Sequence, residues 1–411
     1  MALQMKGCLT GLRVLDLSRV LAGPWAGQIF ADLGAEVIKV ERPGVGDDTR
    51  SWGPPFLTDG AGCPTSEAAY FLSCNRGKKS VTIDITNPAG QELVKKLAAK
   101  SDFLLENFKV GGLAKYGLAY ENLRHLNRGL IYCSITGFGQ DGPYKDRAGY
   151  DFMIQAMGGL MSITGLPDGV LGGGPVKVGV AITDLFTGMY ATVAMLAALE
   201  HRRHTGEGQS IDLSLLDVQV ATLANQALNY LTSGEVPGRL GNAHPNVAPY
   251  EALPTSDGHI VLAVGNDGQF NRFCAAAGRP GLSADPRFAT NPARVQNRGI
   301  LSPQLASLIS AQSTDHWLEV LEAAGVPCGP INTLDRVFDD PQVKHREMCM
   351  NVAHSTGGKL RLVASPMKFS ATPASETLAP PVLGQHTEEV LSELVELPKD
   401  IIETLKWRGI I

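Results

Sequence analysis

Two short apolar runs, Leu12 to Leu17 (LRVLDL) and Ala35 to Glu41 (AEVIKVE), are separated by room for only a loop, Arg19 to Pro24, and a small helix, Trp25 to Leu33. Strand, helix and strand at that spacing make a βαβ unit, whose strands run parallel because a crossover joins them. The rhythm continues. Lys79 to Ile85 reads as a strand, and Asn87-Pro88 opens a helix to Lys100 with proline in the first turn, where its missing N–H costs nothing. A strand from Asp102 to Glu106, a helix from Glu121 to Leu126 and a strand from Gly129 to Thr136 follow. This alternation predicts a doubly wound α/β sheet. Such sheets bind ligands at the carboxyl ends of their strands, so the candidate rim is Arg19 to Pro24, Arg42 to Trp52, Asn107 to Gly112 and Gly137 to Asp151.

Past the rim lies GVAITDLFTGMYATVAMLAALE, Gly179 to Glu200. From Leu185 its apolar residues recur at three and four, which predicts a nearly all-apolar helix with Thr183 or Asp184 as N-cap. An apolar setting raises the carboxyl pKa of Asp184, whereas a helix N-terminus stabilises its anion. An ionised but poorly hydrated carboxylate is a usable nucleophile; the plainer alternative is a residue that only caps.

A chain of 411 residues exceeds one ordinary core. A large domain over residues 1–220, a linker and small α+β domain over 221–330, and a return to the large domain over 331–411 fit the pattern. In this division Ser233 to Pro249 is a connector rich in glycine, proline and asparagine, and His259 to Val264 opens the small domain. Net charge is −5, from 36 basic and 41 acidic residues, so no basic field exists for nucleic acid or an anionic membrane. The apolar region Leu185 to Leu199 falls short of a membrane span. Seven scattered cysteines without a CxxC pair fit reduced thiols in a cytoplasmic compartment, with no zinc or disulfide framework. The first residues carry neither an apolar signal core nor an arginine-rich presequence. A dinucleotide fingerprint fails in the first unit. Its glycine turn reads A-G-P-W-A-G, with Pro24 and Trp25 where a pyrophosphate needs bare backbone.

Six landmarks together resemble the class III CoA-transferases, the family of the formyl-CoA and carnitine CoA-transferases, over essentially the whole length. They are LTGLRVLDLSRVLAGPWAGQIFADLGAEVIKVERPGVGDDTR, CNRGKKSVTIDITNPAGQEL, LENFKVGGLAKYGL, SITGFGQDGPYKDRAGYDF, AITDLFTGMYATVAMLAALEHRRHTGEGQSIDLSLLD and VLGQHTEEVL. RPGVGDDTRSWGPPF, YCSITGFGQDGP and RAGYD are most similar to the branch acting on succinyl-CoA and glutarate. The resemblance implies a Rossmann-like large domain built from both chain ends, a smaller α+β domain, and an interlocked ring-like dimer that is an obligate homodimer. It implies coenzyme A as acyl-CoA substrate, no metal, and a cytoplasmic enzyme, or one of the mitochondrial matrix in a eukaryote. Asp184 takes the nucleophile position of the D-x-x-x-G motif that ends at Gly188. Arg42 corresponds to the arginine at the CoA 3′-phosphate, Asn107 and Phe108 to the pair beside the nucleotide, and Val20 and Ala22 to cofactor contacts on the first loop.

Two departures point away from a formyl or oxalate substrate. Leu21 replaces a glutamine, and the shielding glycine run is reduced to Gly265-Asn266-Asp267-Gly268. The racemase branch carries a histidine where this chain has Tyr150, a poor general base at neutral pH. Racemisation, and transfer to another acid such as oxalate or carnitine, stay as alternatives. A dicarboxylate acceptor needs a cation for its distal carboxylate, because burying that charge unpaired costs several kcal/mol. Arg50 and Arg147 are the candidates, His244 a third, with Trp52 and Tyr150 as walls of the acyl pocket.

Overall fold

The computed structural model describes residues 7–373 and 378–411; the first six residues, part of the stretch read above as lacking a leader, lie outside that range. The expected alternation produces six parallel strands: β1 (Arg13–Asp16), β2 (Glu36–Glu41), β3 (Lys78–Thr82), β4 (Phe103–Glu106), β5 (Ile131–Thr136) and β6 (Ser210–Ser214). Their order across the sheet is β3-β2-β1-β4-β5-β6, every neighbouring pair parallel. Winding outward both ways from β1 leaves a crevice beside its carboxyl end and that of β4, where the direction of winding reverses. Both faces are covered, as near-continuous apolar strands require. Leu15, Ile38, Val81 and Leu104 pack with Leu93, Val94 and Leu97 of the helix Pro88–Ala99 on one face. Val14, Val37, Phe103 and Ile131 pack with Phe30 of the helix Ala22–Asp32 and Met195 of the helix Ile182–Thr205 on the other.

Local chemistry explains most boundaries. Asn87 caps its helix by accepting the Ala89 N–H at 2.9 Å, with Pro88 in the first turn as expected. The first helix starts at Ala22 rather than Trp25, because Pro24 fits a first turn and so shortens the loop before it. The helix expected from Glu121 to Leu126 is a single turn, Tyr120–Leu123. A hairpin of Phe56–Thr58 with Pro64–Ala68 was not legible among its polar residues and prolines. Pro398 divides the C-terminal helical run into Thr387–Glu393 and Lys399–Trp407.

The chain forms two compact units. One contains the described residues up to Gly158, Gly179–Thr222 and Pro341–Ile411. The other contains Leu223–Asp340 and also Gly159–Val178, a segment that the sequence division assigns to the large domain. Its glycines and prolines give no periodicity from which membership could be read. In the second unit an antiparallel sheet, Cys328–Pro330, His259–Ala263 and Tyr250–Pro254, backs a core of Phe270, Phe273, Phe288 and Trp317.

The helix Ile182–Thr205 corrects another expectation. At 24 residues it is long and apolar enough to cross a membrane by length and composition. Half of that window is buried inside the protein, with Thr187, Gly188, Ala191 and Met195 turned inward.

Candidate active site

The crevice between β1 and β4 is held open by side chains bonded to backbone. Asn107, just past β4, accepts the Arg19 N–H at 2.9 Å and donates to the Arg19 carbonyl at 2.7 Å, stapling the two loops together. The next residue, Val20, has φ of +71°, a strained conformation for a β-branched side chain. Its N–H points at both oxygens of Asp47, each 3.3 Å away, and Asp47 is anchored to the buried ammonium of Lys39 at 2.8 Å. The loop is therefore set by groups that only tertiary structure brings together.

Two clefts open from it and share Arg19, Phe108 and Lys109. The larger, about 460 Å³, lies over the ends of β2 and β3 and is lined by Leu17, Arg42, Asp84, Ile85, Lys115 and Tyr116 among others. Apolar walls rimmed by Arg42, Lys109 and Lys115 suit a flat heterocycle carrying phosphates. Arg42 is 58% exposed and, among the described residues, its one carboxylate contact is Asp48 at 4.0 Å, too long for a hydrogen bond. The smaller cleft, about 180 Å³, contains Val20, Ala22, Asn107, Arg147, Tyr150 and Asp184. The fold thus gathers Asp184 and four of the five residues expected at the cofactor around one groove, with Arg42, the fifth, at its wider end.

The motif spacing around Asp184 has a steric cause. A methyl group on Gly188 would come within 2.6 Å of the Ala22 carbonyl oxygen and 3.1 Å of Trp25. Only glycine lets the two helices approach this closely, and the approach carries Asp184, one turn earlier, to the loop of Val20 and Leu21. The cap differs from expectation. The N-cap is Ala181, whose side chain can accept nothing, and Asp184 lies inside the first turn. Asp151, 33 residues before Asp184, supplies the acceptor: its Oδ1 takes the Thr183 N–H at 2.8 Å and faces the Asp184 N–H at 3.3 Å.

Among the described residues the Asp184 carboxylate has no ion pair. Burial, and then the charge of Asp151, push its pKa up to about 7. Tyr70 stands near it, its phenol pushed up to about 12 by burial and by the Asp184 carboxylate. Sequence reading missed Asp151 and Tyr70 as site residues, along with Arg19 and Lys109. Asp151, Arg19 and Lys109 had left a trace, as members of the candidate rim loops, and Tyr70 none.

The remaining expectations divide. Arg50 is not available to a substrate: it is 8% exposed, makes two 2.8 Å bonds to Glu41 and one of 3.2 Å to Glu67, and lies 3.6 Å over the Phe71 ring. Those carboxylates, nine and seventeen residues away, and the Pro381 carbonyl at 3.1 Å take up its donors, which the run GDDTRSW does not reveal. Arg147 rests over the rings of Tyr144 and Phe138, at 4.6 and 5.3 Å, and has no carboxylate partner among the described residues. Trp52 meets Tyr70 edge to face at 5.1 Å, and Tyr150 is 66% exposed at the cleft. His244 belongs to the second unit, accepting the Asn246 N–H at 3.1 Å and packing on Tyr250. The Gly265 to Gly268 turn is in that unit too, capping the helix Asp267–Ala276 through Asn266.

A doubly wound sheet thus carries a cation-rimmed groove leading to a carboxyl that has no ion pair among the described residues. Comparison with known proteins supplies the family. Residues 9–387 match the model of CoA-transferase family III. The chain is 52% identical to the succinate–glutarate CoA-transferase of Agrobacterium fabrum, covering 94% of this chain and 95% of that protein. It is 46% identical to the succinyl-CoA:glutarate CoA-transferase of Mus musculus, over 98% and 90% of the two. The crystal structure of a CAIB/BAIF family protein from Brucella suis superposes with a TM-score of 0.83 at 50% identity, covering 95% of this chain and all of that one. The chain belongs to CoA-transferase family III and is a class III CoA-transferase, an enzyme whose substrates are CoA thioesters.

Proposed function

We propose that this enzyme transfers CoA from succinyl-CoA to a dicarboxylate such as glutarate, with Asp184 as the nucleophile. The observation that carries the reading is the Asp184 carboxyl, half-buried and without an ion pair among the described residues, lining the small cleft that joins the cation-rimmed one. The names of the relatives described above support the acid pair.

The Asp184 oxygen attacks the thioester carbonyl; the C–S bond breaks and CoA leaves as thiolate, giving a mixed anhydride. The thiolate then attacks the aspartyl carbonyl, expelling succinate and leaving an aspartyl-CoA thioester. Glutarate reverses the two steps, and the carboxylate is regenerated. Each bond broken resembles the one formed, so covalent catalysis divides the exchange into steps of nearly matched energy. Water has to be excluded, because both intermediates hydrolyse. In this reading Arg42 takes the 3′-phosphate, Val20, Ala22, Asn107 and Phe108 bound the path of the cofactor, and Trp52 and Tyr150 wall the acyl end. Arg147, without a carboxylate partner among the described residues, takes the distal carboxylate.

A homodimer belongs to the same proposal. Phe186, Met189, Tyr190 and Val193 form a stripe at helical spacing on the outer side of Ile182–Thr205, each between 41% and 62% exposed. An apolar face of that kind normally meets another surface, and we assign it to a second copy of the chain, interlocked as in the family resemblance. The free thiols among the described residues accord with a reducing, cytoplasmic setting.

The test is exchange of isotopically labelled glutarate into CoA thioester from succinyl-CoA. Dicarboxylates should exceed monocarboxylates of equal length in kcat/KM, and Arg147→Gln should erode that preference while sparing CoA binding. Equal use of butyrate and glutarate by the unaltered enzyme would remove the dicarboxylate reading.

A further inference from the structure

We infer that Asp151 is a positioning residue for the reaction: it occupies the positive end of the helix Ile182–Thr205 and so denies that end's stabilisation to Asp184. The inference rests on reading Asp184 as the nucleophile, but the geometry stands independently. A carboxylate in the first turn of a long helix ordinarily gains from the free N–H groups and the dipole, and is held as a stable, weakly basic anion. Here that place is taken. Asp151 Oδ1 lies 2.8 Å from the Thr183 N–H and 3.3 Å from the Asp184 N–H, and its Oδ2 accepts from Gln155 Nε2 at 2.6 Å. Thr183 is fixed in turn by its hydroxyl, which donates to Gln219 Oε1 at 2.6 Å. One charge thus does two things: it caps a helix whose N-cap, Ala181, has no acceptor, and it sets a like charge against Asp184.

Other charged or titratable groups face the same cleft. Arg19 and Asp48 come from the loops after β1 and β2, Lys109 from the loop after β4, and Lys145, Arg147 and Tyr150 from the segment before Asp151. Tyr70 approaches from the helix Ala69–Ser73. Of all these, Asp151 is the group whose charge acts on Asp184, in the same direction as burial. The consequence is a more basic, more reactive carboxylate oxygen at neutral pH, obtained at the expense of activity under acid conditions.

Asp151→Asn separates the two effects, because the amide oxygen still accepts both N–H groups while the charge is gone. The Asp184 carboxyl titration is read directly by carbon-13 NMR of aspartate-labelled protein, its signal identified by its loss in Asp184→Asn. The acid limb of kcat/KM for CoA exchange is measured beside it. The expected result is a downward shift of both, on the order of one pH unit, the scale set by one like charge at this range, with less exchange at pH 8. Asp151→Ser, a second uncharged cap, should do the same and serves if the amide variant does not fold. An unmoved or upward-shifted Asp184 titration in a folded variant overturns the inference. Failure of the nucleophile reading looks different: Asp184→Asn would retain exchange whatever the titration shows.

Discussion

Two groups of charge in the large unit adjoin the Val20 loop, through Asp47 and through the cleft of Asp184, and are built on opposite rules. Beneath the first loop, Asp16 pairs with Lys78 at 2.9 Å, Asp47 with Lys39 at 2.8 Å, and Glu41 with Arg50 at 2.8 Å, all nearly or wholly buried. Burial works against Asp47, yet the charge and hydrogen bond of Lys39 and the bonds from Thr49 outweigh it and bring its pKa down to about 2. Even the packing conforms: a methyl on Gly27 would come within 2.8 Å of Asp16 and 3.0 Å of the Lys78 ammonium, so the helix above closes over the pair only as glycine. Asp184 gets none of this. Burial, and then the charge of another carboxylate, Asp151, push its pKa up to about 7. Where a charge supports the structure the fold pairs it; at Asp184, the nucleophile of the proposed reaction, no cation pairs with the carboxylate among the described residues.

The sharpest way to break the comparison is chemical. Asp184→Asn should lower exchange on the order of 10⁴-fold, the scale on which removing a covalent nucleophile acts, while CoA binding by calorimetry is retained. A loss of the same size in a variant of the paired network, with folding intact, would erase the distinction. Next comes stability. Lys39→Met leaves Asp47 buried without its partner and should cost about 3 to 5 kcal/mol in urea unfolding at pH 7. The folded value of Asp47 is below the ordinary 3.8. Its contribution is therefore complete above pH 4 and lost as pH falls through about 2, and the deficit of the variant should narrow over that window.

Arg42→Ala should weaken CoA by about 1.5 to 3 kcal/mol, the range of a hydrogen bond to a charged group, and dephospho-CoA by clearly less. Equal losses for both ligands would remove the 3′-phosphate assignment. The smallest effect has the opposite sign. The folded value of Asp184 lies above the ordinary 3.8, so its ionised form is penalised in the fold. That penalty is absent below about pH 4 and complete once pH has risen past about 7. Asp184→Asn should therefore stabilise the protein by about 1 kcal/mol at pH 8, a value discounted for the water that reaches a half-buried carboxyl. The gain should vanish at pH 4, and a variant no more stable at pH 8 would show that Asp184 is not held under strain.

Legibility followed the same division. The βαβ rhythm, the Asn87 cap and the helix bearing Asp184 are local, and periodicity and capping chemistry reveal them. Gly188 was legible as a motif, but its reason, the Ala22 carbonyl against which no side chain fits, belongs to helix packing. Arg50 misled because arginine in a polar loop reads as free, whereas its loop turns it back onto Glu41 at the end of β2 and the hairpin brings Glu67 to it. The N-cap, expected at Thr183 or Asp184 and found at Ala181, was misplaced for a similar reason. The sequence presents an apolar helix and a carboxyl at its start, two opposed influences of equal standing. Burial tips the balance, and with it Asp151, brought to the helix end from another helix.

The most direct test of the central claim is to identify the atom that carries CoA. The enzyme is mixed with succinyl-CoA and quenched in acid, treated with hydroxylamine or borohydride, and digested for peptide mass spectrometry. The account predicts a hydroxamate or a reduced side chain on Asp184, absent in Asp184→Asn and absent without thioester. Modification of a different residue, or full exchange activity with Asp184 unmodified at every time sampled, would contradict it.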